Sequence, residues 1–257
     1  MTADLEDWTR KHYTPGGGEP FLFYVLFGKP TAGNSLSASK YRCSEMPAGI
    51  KVMRYGPEQH PEVVSSFQEG YLWEQLQQNE PELAEQIEQC DSCTVLRGSP
   101  EDDSNLNYLR NTVGLITYFL DEGCCAVYDP QMFQWWHPRE WKERIFEPAK
   151  PVPRSHTVTL FSPEEHANDR TWYHTRGMRK FGRPDISVHN VPSDQKKAVV
   201  EMIQRLIEHQ AFGLVVPEGK AIRMEALPPG GIAHHGGDVE DPDFNNVHIE
   251  VVWDEWK

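Results

Sequence analysis

The chain has no apolar run approaching the ~20 residues that a helix needs to cross a bilayer. Its first twenty residues, MTADLEDWTRKHYTPGGGEP, hold no apolar core of the signal-peptide kind, so the sequence reads as a cytoplasmic protein. Cysteine is scarce and odd in number: five thiols, four of them clustered at 90/93 and 124/125, do not form the even, spaced set of a secreted disulfide framework. Positive charge is also short. A net charge of −14 excludes a general nucleic-acid surface and a general anionic-membrane surface, while leaving room for a local basic patch. Several catalytic signatures are missing as well. The sequence contains no Gly-x-Ser-x-Gly elbow, no P-loop, no dinucleotide glycine fingerprint, no His-Glu-x-x-His and no tight His-x-His. The GGGEP run at 16–20 precedes a strand instead of linking a strand to a helix, so it is no phosphate cradle.

What is present is a run of short elements with ordinary composition over 257 residues, enough for one large domain or two small ones. FLFYVLF (21–27) is continuous and apolar, a buried strand; IKVMRY (50–55) alternates, a half-buried one. Residues 62–89 favour helix, with Pro81 starting a second helix. CTVLRG (93–98) and CCAVYD (124–129) are strands. Between them Leu106, Leu109, Val113, Ile116 and Leu120 form one apolar helical stripe, with Ser104 as the expected cap and Gly123 as the stop. FEPAKPVPRS (146–155) carries three prolines and reads as a linker. In the second half HTVTLF (156–161), DISVHNV (185–191) and FGLVV (212–216) read as strands, and Ser193 as the cap of a helix with apolar pairs spaced by four. AIRMEAL (221–227) and NVHIEVVW (246–253) read as an antiparallel pair around a long glycine-rich loop.

Both halves thus repeat strand, polar cap, four-turn helix and strand. The expected fold is α+β, with tandem ferredoxin-like (β-α-β-β-α-β) repeats on antiparallel or mixed sheets, each sheet with helices on one face. The expected organisation is a flexible lead-in at 1–20, a first repeat at 21–147, a Pro-rich linker at 148–155 and a second repeat with a C-terminal hairpin at 156–257. MFQWWHPREW (132–141) places Trp135, Trp136 and Trp141 near the join, where they would cover an edge or form a homo-oligomer interface.

Cys90-Asp-Ser-Cys93 has the spacing of a zinc or redox pair, but it follows a helix and enters a strand, and adjacent Cys124 and Cys125 point to opposite faces. Buried, inert thiols are the plainer reading. The C-terminal loop offers His234, His235 and Asp238, with His248 on the next strand; together with His174 these define an alternative in which one divalent metal activates water in a hydrolase-like enzyme. Otherwise no cofactor is expected.

The stretch TWYHTRGMRKFGRPD (171–185) stands out, with four Arg/Lys and one carboxylate in an acidic protein. It reads as the first helix of the second repeat, ended by Gly182 and turned by Pro184. His174, Thr175, Arg176, Arg179 and Arg183 make it a candidate anion site, since guanidinium forks suit carboxylate and phosphate. Its pattern His-Thr-x-Gly-x-x-x-Phe-Gly-x-Pro-Asp resembles an element of uncharacterised bacterial domain families and covers about residues 155–220. The resemblance implies an α+β fold and a bacterial source, and no reaction. The function expected from the sequence is a non-catalytic module that binds a small anionic ligand or a protein partner.

Overall fold

The computed structural model describes residues 5–31, 35–165 and 167–256. The chain divides into two compact units: Met1–Trp8, Phe21–Glu101 and Leu106–Val152 form the first, and Thr9–Pro20, Asp102–Asn105 and Pro153–Lys257 the second. Both are α+β.

The first unit contains strands β1 (Leu22–Phe27), β2 (Ile50–Tyr55), β3 (Cys93–Gly98), β4 (Ala126–Asp129) and β5 (Gln134–Trp136). They form a sheet in the order β2-β3-β1-β4-β5, every neighbour antiparallel. Its helices are α1 (Ala38–Tyr41), α2 (Pro61–Ser66), α3 (Tyr71–Asn79), α4 (Pro81–Glu88), α5 (Asn107–Asp121) and α6 (Pro138–Trp141). β1 is apolar throughout because both faces of the sheet are covered. Val25, Phe27 and Val95 meet Trp73, Leu76, Leu83 and Ile87 of α3 and α4 on one side. On the other side Tyr24 lies edge-on to Trp141 of α6, whose indole N–H donates to Thr117 of α5. Helices therefore flank this sheet on both faces, where the sequence suggested one. Pro81 starts α4, because a first-turn proline loses no helical hydrogen bond.

The second unit contains β6 (Val158–Glu164), β7 (Ala167–Arg176), β8 (Asp185–Pro192), α7 (Lys196–Ala211), β9 (Ala221–Ile222), β10 (Gly231–Gly236) and β11 (His248–Val252). Its sheet runs β6-β7-β8-β11-β10-β9; β8 and β11 are parallel and the other neighbours antiparallel. Helix α7 packs on β8 and buries Val199, Met202, Ile203 and Ile207.

Several expectations change. Residues 171–176 are strand, not helix: Thr171, Trp172, Tyr173 and Thr175 are β-branched or aromatic, and they alternate across the sheet. Only Met178–Phe181 make a 3-10 turn, ended by Gly182 in the left-handed region. FGLVV is no strand. There the carbonyls of Phe212 and Gly213 accept hydrogen bonds from His12 and Thr14. A Cβ on Gly213 would lie 2.4 Å from Tyr13 Cα, so this close approach needs glycine. Consequently 1–20 is not a loose lead-in over its described part: Trp8 and Arg10 are buried, and Thr9 bridges Asn105. The C-terminal pair is a meander, since β10 inserts between β9 and β11. Neither expected serine caps its helix: α5 starts behind Leu106 and α7 behind Gln195, while the Ser104 hydroxyl turns to Asp103.

Candidate functional site

The basic element at 174–183 folds inward, within the second unit. Arg183 is 1 % exposed; its guanidinium holds both Asp102 oxygens at 3.1 Å and the Gly213 carbonyl at 3.1 Å. Arg10, also buried, pairs with the same carboxylate and donates to the Ala211 and Phe181 carbonyls. Arg176 donates to the carbonyls of Pro242 and Asp243, Arg179 to that of Asn245, and buried Lys180 to that of His156 at 2.9 Å. Thr175 donates to Asp185, a buried carboxyl that also accepts from Met178 N–H and Asn246. Burial pushes Asp185 up to about 6, against the lowering pull of these donors and Arg176. Strand β7 and the turn after it thus aim the cations at the protein's own carbonyls and one carboxylate, so the geometry gives an external anion at His174, Thr175, Arg176, Arg179 and Arg183 no support.

His174 belongs to a second cluster on the same sheet. Its ring stacks on Trp172 at 4.0 Å; Trp172 also stacks on His189 at 4.8 Å and donates to Ser187. Phe244 covers this face, 5.4 Å from His174 and stacked at 4.2 Å on His248. Burial drives His174 down to about 4 and also lowers His248, so both imidazoles are neutral at physiological pH. The alternative metal set does not assemble. His234 and His235 are neighbours on β10 and take different partners, Glu218 and the Val216 carbonyl. Asp238 accepts from the nearby Glu240 N–H, and His248 faces Phe244. Among the described residues no group of three or more His, Cys, Asp or Glu is placed to hold a metal ion. The tryptophans are corrected too: Trp135, Trp136 and Trp141 are 6 %, 1 % and 1 % exposed, and Trp135 stacks on Tyr128 at 4.0 Å inside the first unit. They have no surface to offer an oligomer.

A cleft of about 660 Å³ opens at one end of the first unit's sheet. It is bounded by the chain leaving β1 (Gly28–Thr31), the end of β2 with the turn at 56–59, and the segment 91–94 entering β3. Gly28, at a φ of 103°, turns the chain out of β1 and donates to the Ser92 carbonyl, while paired bonds between Gly56 and Gln59 close the turn. Lys29 and Arg54 line this cleft, and among the described residues no carboxylate forms an ion pair with either. Glu58 and Asp91 line it as well, and Ser92 Oγ is buried there without a hydrogen-bond partner among the described residues. This is space of small-molecule size, with two available cations and a hydroxyl donor in one wall. Sequence reasoning passed over Lys29 and Arg54 because each is a single cation on a strand or just beyond its end. Only the strand order β2-β3-β1 brings them to one end of the sheet.

No protein-family model, no curated protein and no solved structure matches this chain.

Proposed function

We propose that the protein is a non-catalytic binding module for a small anionic ligand, seated in the cleft of the first unit between Lys29 and Arg54. The observation that carries this reading is a contrast in commitment. The cations at 176, 179, 180 and 183 are consumed by internal carbonyls and Asp102, whereas Lys29 and Arg54 border a cleft of about 660 Å³ without a carboxylate partner among the described residues. Arg54 supplies a two-donor fork and Lys29 a point charge. Glu58 and Asp91 on the same cleft favour a ligand that carries an amine or hydroxyl beside its acid group.

The fold supports a ferredoxin-like reading of the first unit. In the order β4-β1-β3-β2, β1 and β2 run the same way on either side of β3, and β3 and β4 run the same way on either side of β1. Two interlocked β-α-β crossovers produce that order, with α2–α4 inserted where the unit would have a hairpin. The second sheet, in which β8 and β11 are parallel neighbours, lends the tandem reading no support.

Thermal shift with phosphate monoesters and di- and tricarboxylates tests the site. At a hundred times its dissociation constant a ligand adds about 2.7 kcal/mol, a rise of about 5–10 °C for a protein of this size. The rise is expected to vanish in Lys29→Glu and Arg54→Glu and to persist in Arg179→Glu. Loss in Arg179→Glu with retention in Arg54→Glu would return the site to the 174–183 element.

A further inference from the structure

We propose that Cys90 and Cys125 are a reversible dithiol–disulfide modification site, oxidised by a peroxide. The Cys90 and Cys125 sulfurs lie 3.4 Å apart although 35 residues separate them. Cys90 sits between α4 and β3, and Cys125 just ahead of β4. Both point at the Gln86 carbonyl, 3.3 Å from Cys90 Sγ and 3.8 Å from Cys125 Sγ, so the two thiols share one small polar site on the helix side of the sheet. Both are half-buried, which leaves a path for a small oxidant.

The other three cysteines are 1–3 % exposed. Burial pushes the Cys93 thiol up to about 11 and the Cys124 thiol up to about 12, which keeps them protonated and unreactive. The reacting pair is therefore neither the Cys-x-x-Cys spacing nor the adjacent 124/125 pair. Cys124 turns toward the Gly28 carbonyl at 3.8 Å, away from its neighbour. A hydrogen bond from the Cys125 thiol stabilises a thiolate on Cys90 and lowers its pKa, while burial and Asp91 oppose it. That order makes Cys90 the attacking sulfur and Cys125 the resolving one.

The step balances as follows. The Cys90 thiolate attacks one oxygen of hydrogen peroxide, the O–O bond breaks, hydroxide leaves and sulfur becomes a sulfenic acid. Cys125 sulfur then attacks the Cys90 sulfur, the S–O bond breaks and water leaves. Two thiols are oxidised by two electrons in total, and one peroxide is reduced to two waters. Closing the bond brings the sulfurs from 3.4 Å to about 2.05 Å.

Full-length protein treated with hydrogen peroxide tests the proposal. The intact mass is expected to fall by about 2 Da, restored by dithiothreitol, with two of the five thiols lost. Cleavage before Asp91 separates Cys90 from Cys93, and a Cys124→Ser variant removes the ambiguity of the adjacent pair. The mapped cross-link is then expected between Cys90 and Cys125. In Cys125→Ser the reaction stops at a Cys90 sulfenic acid that dimedone traps. A cross-link through Cys93, a wild-type protein that gains oxygen without losing hydrogen, or a Cys125→Ser variant that still loses about 2 Da overturns it.

Discussion

Arg183 fills a fully buried position with a charge that never titrates, so its partners set its energetic consequence. Asp102 meets two such guanidiniums, Arg183 and Arg10, and the Gly182 and Gly213 carbonyls accept further hydrogen bonds from the terminal nitrogens of Arg183. Removing one partner of a buried ionic network strands the others, a loss of about 3–5 kcal/mol. Asp102→Asn is expected to lower stability by about 3 kcal/mol in urea unfolding, whereas Asp103→Asn, one residue along, is expected to cost under about 1 kcal/mol. Three buried titrating groups pull in two opposite directions with pH. An unfolded imidazole takes a proton near pH 6.5, but native His174 refuses one until about 4, so this group subtracts stability as pH falls through that window. His156, held down to about 3 by burial and Lys180, acts the same way. Asp185, raised to about 6, binds its proton first in the native state and adds stability as pH falls from 6 toward 4. His174→Gln is expected to flatten, and Asp185→Asn to steepen, the loss of stability between pH 6.5 and 4.5. Each change is on the order of 2 kcal/mol by urea midpoints.

At the scale of single elements, α5 shows packing overruling propensity. It is buried on nearly every side, and a Cβ on Gly114 would stand 2.0 Å from the Tyr41 carbonyl oxygen. Alanine is the better helix former by about 1 kcal/mol, yet Gly114→Ala is expected to destabilise by about 1–3 kcal/mol, because the backbone at the end of α1 has to retreat. A rise in melting temperature would refute that packing argument. The same competition explains what the sequence made legible. The helix stripe at Leu109, Val113 and Ile116, the break at Pro81 and the strands at 22–27, 50–55 and 93–98 are local patterns, and all are present. Residues 171–176 misled because the supposed repeat demanded a helix there while the residue types favoured strand. FGLVV looked like a strand but spends its first two carbonyls on the distant N-terminal segment. The cleft was illegible for a similar reason: Lys29, Arg54 and Ser92 are near one another only through strand order, which no local period encodes.

For the whole molecule, the chain passes between its two units at 8/9, 20/21, 101/102, 105/106 and 152/153. Two of these crossings coincide with sequence punctuation, 20/21 behind the glycine run at 16–18 and 152/153 between Pro151 and Pro153; those at 8/9, 101/102 and 105/106 do not. The second unit therefore depends on residues far upstream of it: Arg10 and Asp102 flank Arg183, and His12 bonds to Phe212. A fragment of residues 153–257 is expected to lack the protected amides of Arg183 and Gly213 in hydrogen exchange. Deletion of residues 5–20 from the full chain is expected to expose the same amides while those of β1 and β3 stay protected. Protection of Gly213 in the fragment would show that the unit closes without its upstream pieces. The interlacing also fixes an order of events during synthesis. His12 leaves the ribosome about 200 residues before Phe212, a wait of about 10–40 s at ordinary elongation rates. Through that interval the first unit can close around its own sheet, while the 9–20 segment must be kept out of it with its partners still unmade. A slow or stalled ribosome past residue 152 would thus leave a nascent chain with one folded half and an unpaired 9–20 segment, the state in which chaperone capture matters most.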